Sequence, residues 1–337
     1  MTEQDVRRRG GGKRRRRRGR GEQAMVPDAE FTSYYGRPVV KASPWQADIP
    51  AYLFLGGLAG GSSLLAAGAD LAGLPRQRRS ARLVASGAIA GSLYALIHDL
   101  GRPARFHHML RVAKVTSPMS VGTWILSAYG PFNALATAGE LIGLMPESVR
   151  RSRIGRTLGV AGRPGGMVAA LIAPAVASYT AVLLTDTATP TWHAAKRELP
   201  FVFVGSAAAA TGGMGLVAGP LGESGPARNL AVGGAVLELG ASRIMQHSMG
   251  ITAEPLHQGT AGNLHTAATT LTTAGAVGAV AGQRSRIASV LSGLALTAGS
   301  ACTRFAIFHA GQASAHDPRY TVVPQRERRE ARGASTS

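Results

Sequence analysis

The sequence predicts an all-α polytopic membrane protein with eight transmembrane helices, and three observations predict it. Windows of about 20 residues recur almost without charge, the length a helix needs to cross a hydrocarbon core about 30 Å thick. Hydrophobic residues make up 45% of the 337 positions, aromatic ones only 5%, and 44 residues are Gly. Such Gly- and Ala-rich segments suit helices that pack on one another more than helices bathed in lipid. Finally, stretches such as VGSAAAATGGMGLVAG and HTAATTLTTAGAVGAVAG have no charged face at helical period, which a soluble bundle would require. The mean hydropathy of +0.07 is low only because two Arg-rich ends dilute it.

The windows fall at 50–71, 82–98, 120–144, 166–185, 200–219, 229–248, 264–281 and 287–309. The first contains GGLAGG, two overlapping GxxxG pairs (Gly56/Gly60 and Gly57/Gly61) that let backbones approach closely. At its start Asp48 and Tyr52 are four residues apart and share a helical face. Tyr can donate to a carbonyl and Asp can take a proton; the same pair also reads as a helix cap and an interfacial aromatic. Between the second and third windows lies HDLGRPARFHHMLRVAKVTSPMS (98–120), a connector far denser in polar residues than a link between spans needs.

The fourth window ends SYTAVLLTDTATPTWHAAKRELP. Tyr179 sits two turns before Asp186 there, and Pro190-Thr191-Trp192 reads as a turn with an interfacial Trp. Glu238 lies within the sixth window, followed by Arg243 and His247, and Arg304 lies within the eighth. Ionisable groups at membrane depth mark a pathway or a pair. Glu238 is therefore expected to pair with Arg243 or Arg304, as a proton route or as a fixed ion pair. None of the nine His falls near a window centre, so haem ligated within the membrane is not expected. The single Cys302 cannot by itself hold an iron–sulfur cluster or structural zinc.

The formal net charge of +19 concentrates at the ends. Residues 1–44, with RRRGGGKRRRRRGRG, read as a disordered basic arm; 45–316 form the membrane domain; 317–337 are a basic tail of similar character. Without an interleaved aromatic or a nucleic-acid module, the charge points to anionic lipid headgroups rather than nucleic acid. Call the side holding the termini side A. Its loops carry six Lys/Arg and the opposite loops twelve. Near-membrane termini level that count, and the arginine arm tips side A toward the cytoplasm of a cell-membrane protein.

On YLFLGGLAGGSSLL (52–65), HDLGRPARFHHMLRVAKVTSPMSVGTWIL (98–126), Tyr179 to Trp192, ELPFVFVGSAAA (198–209) and RFAIFHAGQASAHDPRYTVVPQR (304–326), the chain resembles the NrfD-type polysulfide reductase membrane subunits. These are integral anchors of molybdopterin/iron–sulfur oxidoreductases. The resemblance implies two four-helix bundles without haem or a bound cluster. It also implies a quinone, menaquinone, as exchangeable substrate. Its electrons would pass to or from an iron–sulfur subunit of four-cluster ferredoxin-like fold, which serves a molybdopterin catalytic subunit, as in formate dehydrogenase or polysulfide reductase. Where polysulfide reductase has an Asn and His pair at the first span, this chain has Asp48 and Tyr52, and Tyr179 matches the family's fourth-span tyrosine.

Topology would bring Asp48, Tyr52, His98, Asp99 and Tyr179 to one face as a quinone site. Asp186, Glu238 and Arg304 would form a proton route or buried ion pair, and Arg102, Arg105, His107 and Arg111 would dock the partner. The rival readings are a secondary transporter, which would show inverted repeats and broken helices, and a purely structural anchor without a working quinone site.

Overall fold

A computed structural model describes residues 38–334; the arginine arm up to position 37 lies outside them. The helices are α1 (Asp48–Leu71), α2 (Pro75–His98), α3 (Pro118–Ile142), α4 (Glu147–Arg150), α5 (Arg153–Thr185), α6 (Pro190–Ala194), α7 (Leu199–Ala218), α8 (Gly225–Ser248), α9 (Gly259–Ala281), α10 (Arg286–His316) and α11 (Arg319–Ala334). Short 3-10 segments lie at Pro103–Arg111, Leu221–Glu223 and Gly250–His257. No strand occurs among the described residues. Each apolar window falls on one long helix.

Five of these helices, α1, α2, α5, α7 and α10, are long and apolar enough to cross a membrane. The other three expected spans, α3, α8 and α9, do not reach that apolarity. Thr, Gly and Ala dominate α9, while α8 carries Arg228, Glu238 and Arg243.

Small residues set the packing. α1 lies against α2, α5 and α7, α3 against α5, α7 against α8 and α10, and α9 against α10. The two GxxxG pairs of α1 serve different neighbours. Gly57 and Gly61 face Ala207 and Thr211 of α7, and Gly60 faces the Ala173 carbonyl and Val176 of α5. A side chain at Gly60 or Gly61 would collide with the neighbouring helix. Hydroxyls and an amide add interhelical bonds where lipid offers none. Ser63 Oγ meets the Tyr129 hydroxyl at 2.7 Å, Asn133 Nδ2 donates to Ser86 Oγ at 2.9 Å, and Ser86 meets Thr137 at 2.6 Å.

One end of the helix set, face A, gathers the start of α1 and the ends of α2, α5, α8 and α10. Gln312 Nε2 donates to the Ser43 and Trp45 carbonyls at 3.0 and 3.2 Å, and Thr191 Oγ1 donates to the Thr252 carbonyl at 2.9 Å. Trp192 is not interfacial as expected but fully buried. It stacks between Trp45 and Phe308, and its indole N–H donates to the Ile307 carbonyl at 2.8 Å. Buried indoles need such a partner. Within the C-terminal tail, expected to resemble the disordered arm, Arg319–Ala334 form the helix α11. Its first turn is anchored by buried Tyr320 and by Arg319, which donates to Glu254 at 2.8 Å.

Candidate functional site

The polar connector builds its end of the site by helix capping. Ser117 caps α3 by accepting from the Ser120 amide, and Pro118 supplies the first turn. Ser120 Oγ and the Trp124 indole N–H both donate to the Val112 carbonyl, at 2.8 and 3.3 Å, which pins the connector onto α3. On the other side α2 is tied to the approach of α1. His98 Nδ1 meets Asp48 Oδ2 at 3.0 Å, and Asp99 Oδ1 accepts from the Gln46 amide at 3.3 Å.

Between these ties lies a cleft of about 250 Å³. Trp45, Ile49, Leu96, Met119 and Leu183 make its walls apolar, and Tyr52, Tyr179, Asp99 and Thr123 supply the polar groups. The Tyr52 and Tyr179 hydroxyls are hydrogen-bonded to each other across α1 and α5, with both side chains buried. A mutual bond occupies one of the two O–H groups, leaving the other proton and the lone pairs for a ligand oxygen. Gly122 on α3 lies flat against the Tyr179 ring, and a methyl group there would overlap it. Gly122 lies in the stretch that carries the family resemblance, but its contact with Tyr179, 57 residues on, is visible only in the fold.

Of the residues expected to form the site, Tyr52, Tyr179 and Asp99 line the cleft, and Asp48 with His98 forms a hydrogen-bonded dyad beside it. Asp48 and Tyr52 turn to different helices, Asp48 to His98 of α2 and Tyr52 to Tyr179 of α5. Asp99 forms no ion pair with Arg102 or Arg105 among the described residues; its carboxylate accepts from the Gln46 amide. Arg102, Arg105, His107 and Arg111 are all exposed on or beside the 3-10 segment Pro103–Arg111. Asp186 is exposed at the end of α5, away from Glu238's surroundings.

The expected pairing of Glu238 with Arg304 or Arg243 is not a direct ion pair at 4.0 Å or less among the described residues. Both Glu238 and Arg304 are buried. Glu238 Oε1 accepts from Thr303 Oγ1 at 2.5 Å, while Arg304 Nη2 donates to the Phe203 carbonyl at 2.7 Å and its guanidinium lies 3.6 Å from the Phe203 ring centroid. Glu238 is thus bonded across a helix interface to α10, and Arg304 is bonded to α7 rather than to the acid.

A second charged centre, which sequence reasoning missed, closes the opposite end, face B. Buried Asp70 of α1 meets Arg78 and Arg163 at 2.9 Å each, and buried Glu140 of α3 meets Arg78 at 2.6 Å and Arg82 at 2.8 Å. Four helices converge on these two carboxylates. No group of three or more His, Cys, Asp or Glu is placed to hold a metal ion among the described residues.

Comparison with known families matches residues 39–221 to the polysulphide reductase, NrfD family, more than half of the chain. No curated protein matches significantly. The match runs from the approach to α1 through α7, so it contains the cleft but not α8, α9 or α10. The chain belongs to the NrfD family, integral membrane subunits of molybdoenzyme complexes that pair with iron–sulfur and molybdopterin subunits.

Proposed function

We propose that this NrfD-family chain is the quinone-reactive anchor of a multi-subunit oxidoreductase, crossing the membrane eight times as two four-helix bundles. It exchanges electrons between a membrane quinone, menaquinone, and an iron–sulfur subunit docked on face A, which serves a molybdopterin catalytic subunit. The observation that carries this reading is the bonded Tyr52–Tyr179 pair in the wall of an otherwise apolar cleft. Apolar walls with a few convergent polar groups are what a small ring with carbonyl oxygens requires.

The quinone supplies the redox chemistry: oxidising the quinol releases two electrons and two protons. The residues position the ring and handle protons. The tyrosine pair offers one free O–H to a ring oxygen, and Asp99 lies in the same wall. The Asp48–His98 dyad, with its imidazole largely exposed, is placed to pass protons to water. Exposed Arg102, Arg105, His107 and Arg111 present a basic rim toward the partner, which brings its nearest cluster to the cleft.

Tyr179→Phe in the intact complex tests the reading, since it keeps the ring and removes the hydroxyl. Quinone-linked turnover should fall about 10²-fold, a usual loss for a positioned proton donor, while the iron–sulfur subunit still copurifies. Unchanged turnover would leave only a structural anchor.

A further inference from the structure

Beyond the quinone cleft, α8 and α9 enclose a second polar opening. α8 packs chiefly on α7 and α9 chiefly on α10, so the seam between them is thin. An outer cleft of about 370 Å³ opens there beside Arg243, Gln246 and His247. An inner cavity of about 20 Å³, room for one water molecule, is lined by Glu238 and Thr303. Leu239, Ser242, His265 and Thr269 line both, so the two adjoin along the seam.

Glu238 stands at the inner end, 3% exposed, and its Oε2 has no hydrogen-bond partner. Nearby Arg304 is 1% exposed, with Nε and Nη1 also unpartnered. The charged and titratable groups around Glu238 are Arg304 from α10, His265 from α9 with His257 of the 3-10 segment Gly250–His257 packed against it, and Arg243 and His247 from its own helix; α7 contributes the Ser206 hydroxyl. A carboxylate at this depth without a direct cation is costly, and adding a proton removes that cost. A metal cation would have to share the pocket with the Arg304 guanidinium, whereas a proton simply neutralises the acid.

We propose that Glu238 is a proton-loading site that exchanges with water on face A through the α8–α9 seam. A proton from water in the cleft adds to Oε2 to give the neutral acid and leaves by the same path, with no electron transferred. The site lies outside the family match and does not depend on quinone chemistry. Arg304 also reaches Gly57, five residues from Tyr52 on α1, which places a fixed positive charge between Glu238 and the helix that carries the cleft.

Infrared difference spectra of the purified full chain in lipid nanodiscs, recorded as pH is stepped, test this without any quinone. The expected result is a carboxylic-acid carbonyl band that Glu238→Gln removes. Its deuterium exchange should be slowed about tenfold by Ser242→Leu, which fills the seam at a half-buried position. A missing band at every pH, an exchange rate unaltered by Ser242→Leu, or a band that follows sodium at constant pH would overturn the proposal. Because no turnover is measured, its failure is distinct from that of Tyr179→Phe.

Discussion

The two faces of the molecule both gather arginine, and they use it differently. On face B, Asp70 and Glu140 hold Arg78, Arg82 and Arg163, while Arg286 donates to the Leu216 and Gly219 carbonyls at 2.9 and 2.7 Å and caps the end of α7. On face A, the side chains of Arg102, Arg105 and Arg111 make no ion pair or hydrogen bond among the described residues and lie exposed on the connector that supplies Gly101 and Met109 to the cleft. Compensated charge locks helices together. Uncompensated charge beside a cleft is available to a partner.

The largest effect is expected from breaking the lock. Glu140→Ala leaves Arg82, 5% exposed, with its main counter-ion gone, and losing one partner of a buried pair costs about 3–5 kcal/mol. Thermal unfolding of the solubilised protein should show that loss, with turnover per folded molecule preserved. An unchanged melting temperature would mean that face B is not a lock.

Face A should respond in function rather than stability. Gly122→Ala drives the Tyr179 ring out of place, and misplacement by about 1 Å can cost about 10²-fold in rate. Quinone-linked turnover should fall on that scale while the complex stays assembled; a normal rate would separate Tyr179 from the chemistry. The smallest effect belongs to the rim. Arg102→Ala with Arg105→Ala should weaken retention of the iron–sulfur subunit about tenfold in salt washes, as charged rim contacts do, and leave thermal stability unaltered. Equal retention would move the docking surface elsewhere.

This contrast also separates what was legible in the sequence from what was not. Hydropathy is a local property, so each long helix announced itself. The ends of α5 and α10 did not, because Arg153–Thr185 and Arg286–His316 continue well past their apolar windows. Asp48, Tyr52, His98, Asp99 and Tyr179 were each visible as polar residues at span ends. Their pairing depends on how helices rotate against one another, and so Asp48 turned to His98 and Tyr52 to Tyr179. The same geometry hid the lock. Arg78, Arg79, Arg82 and Arg163 counted toward orientation as loop charges, yet all four lie within 4.0 Å of a buried carboxylate. Glu238 was legible as an intramembrane acid, but its partner Thr303 is a small hydroxyl 65 residues away, next to the Arg304 that drew the expected pairing.

The central claim is that the Tyr52–Tyr179 cleft binds quinone, and photo-crosslinking with a photoreactive quinone tests it most directly. In the membrane-embedded complex, peptides around Trp45–Tyr52 and Tyr179–Leu183 should carry the label. Excess unlabelled quinone should remove it, and Tyr179→Phe should reduce it. Labelling confined to other helices, or persisting under excess quinone, would contradict the account.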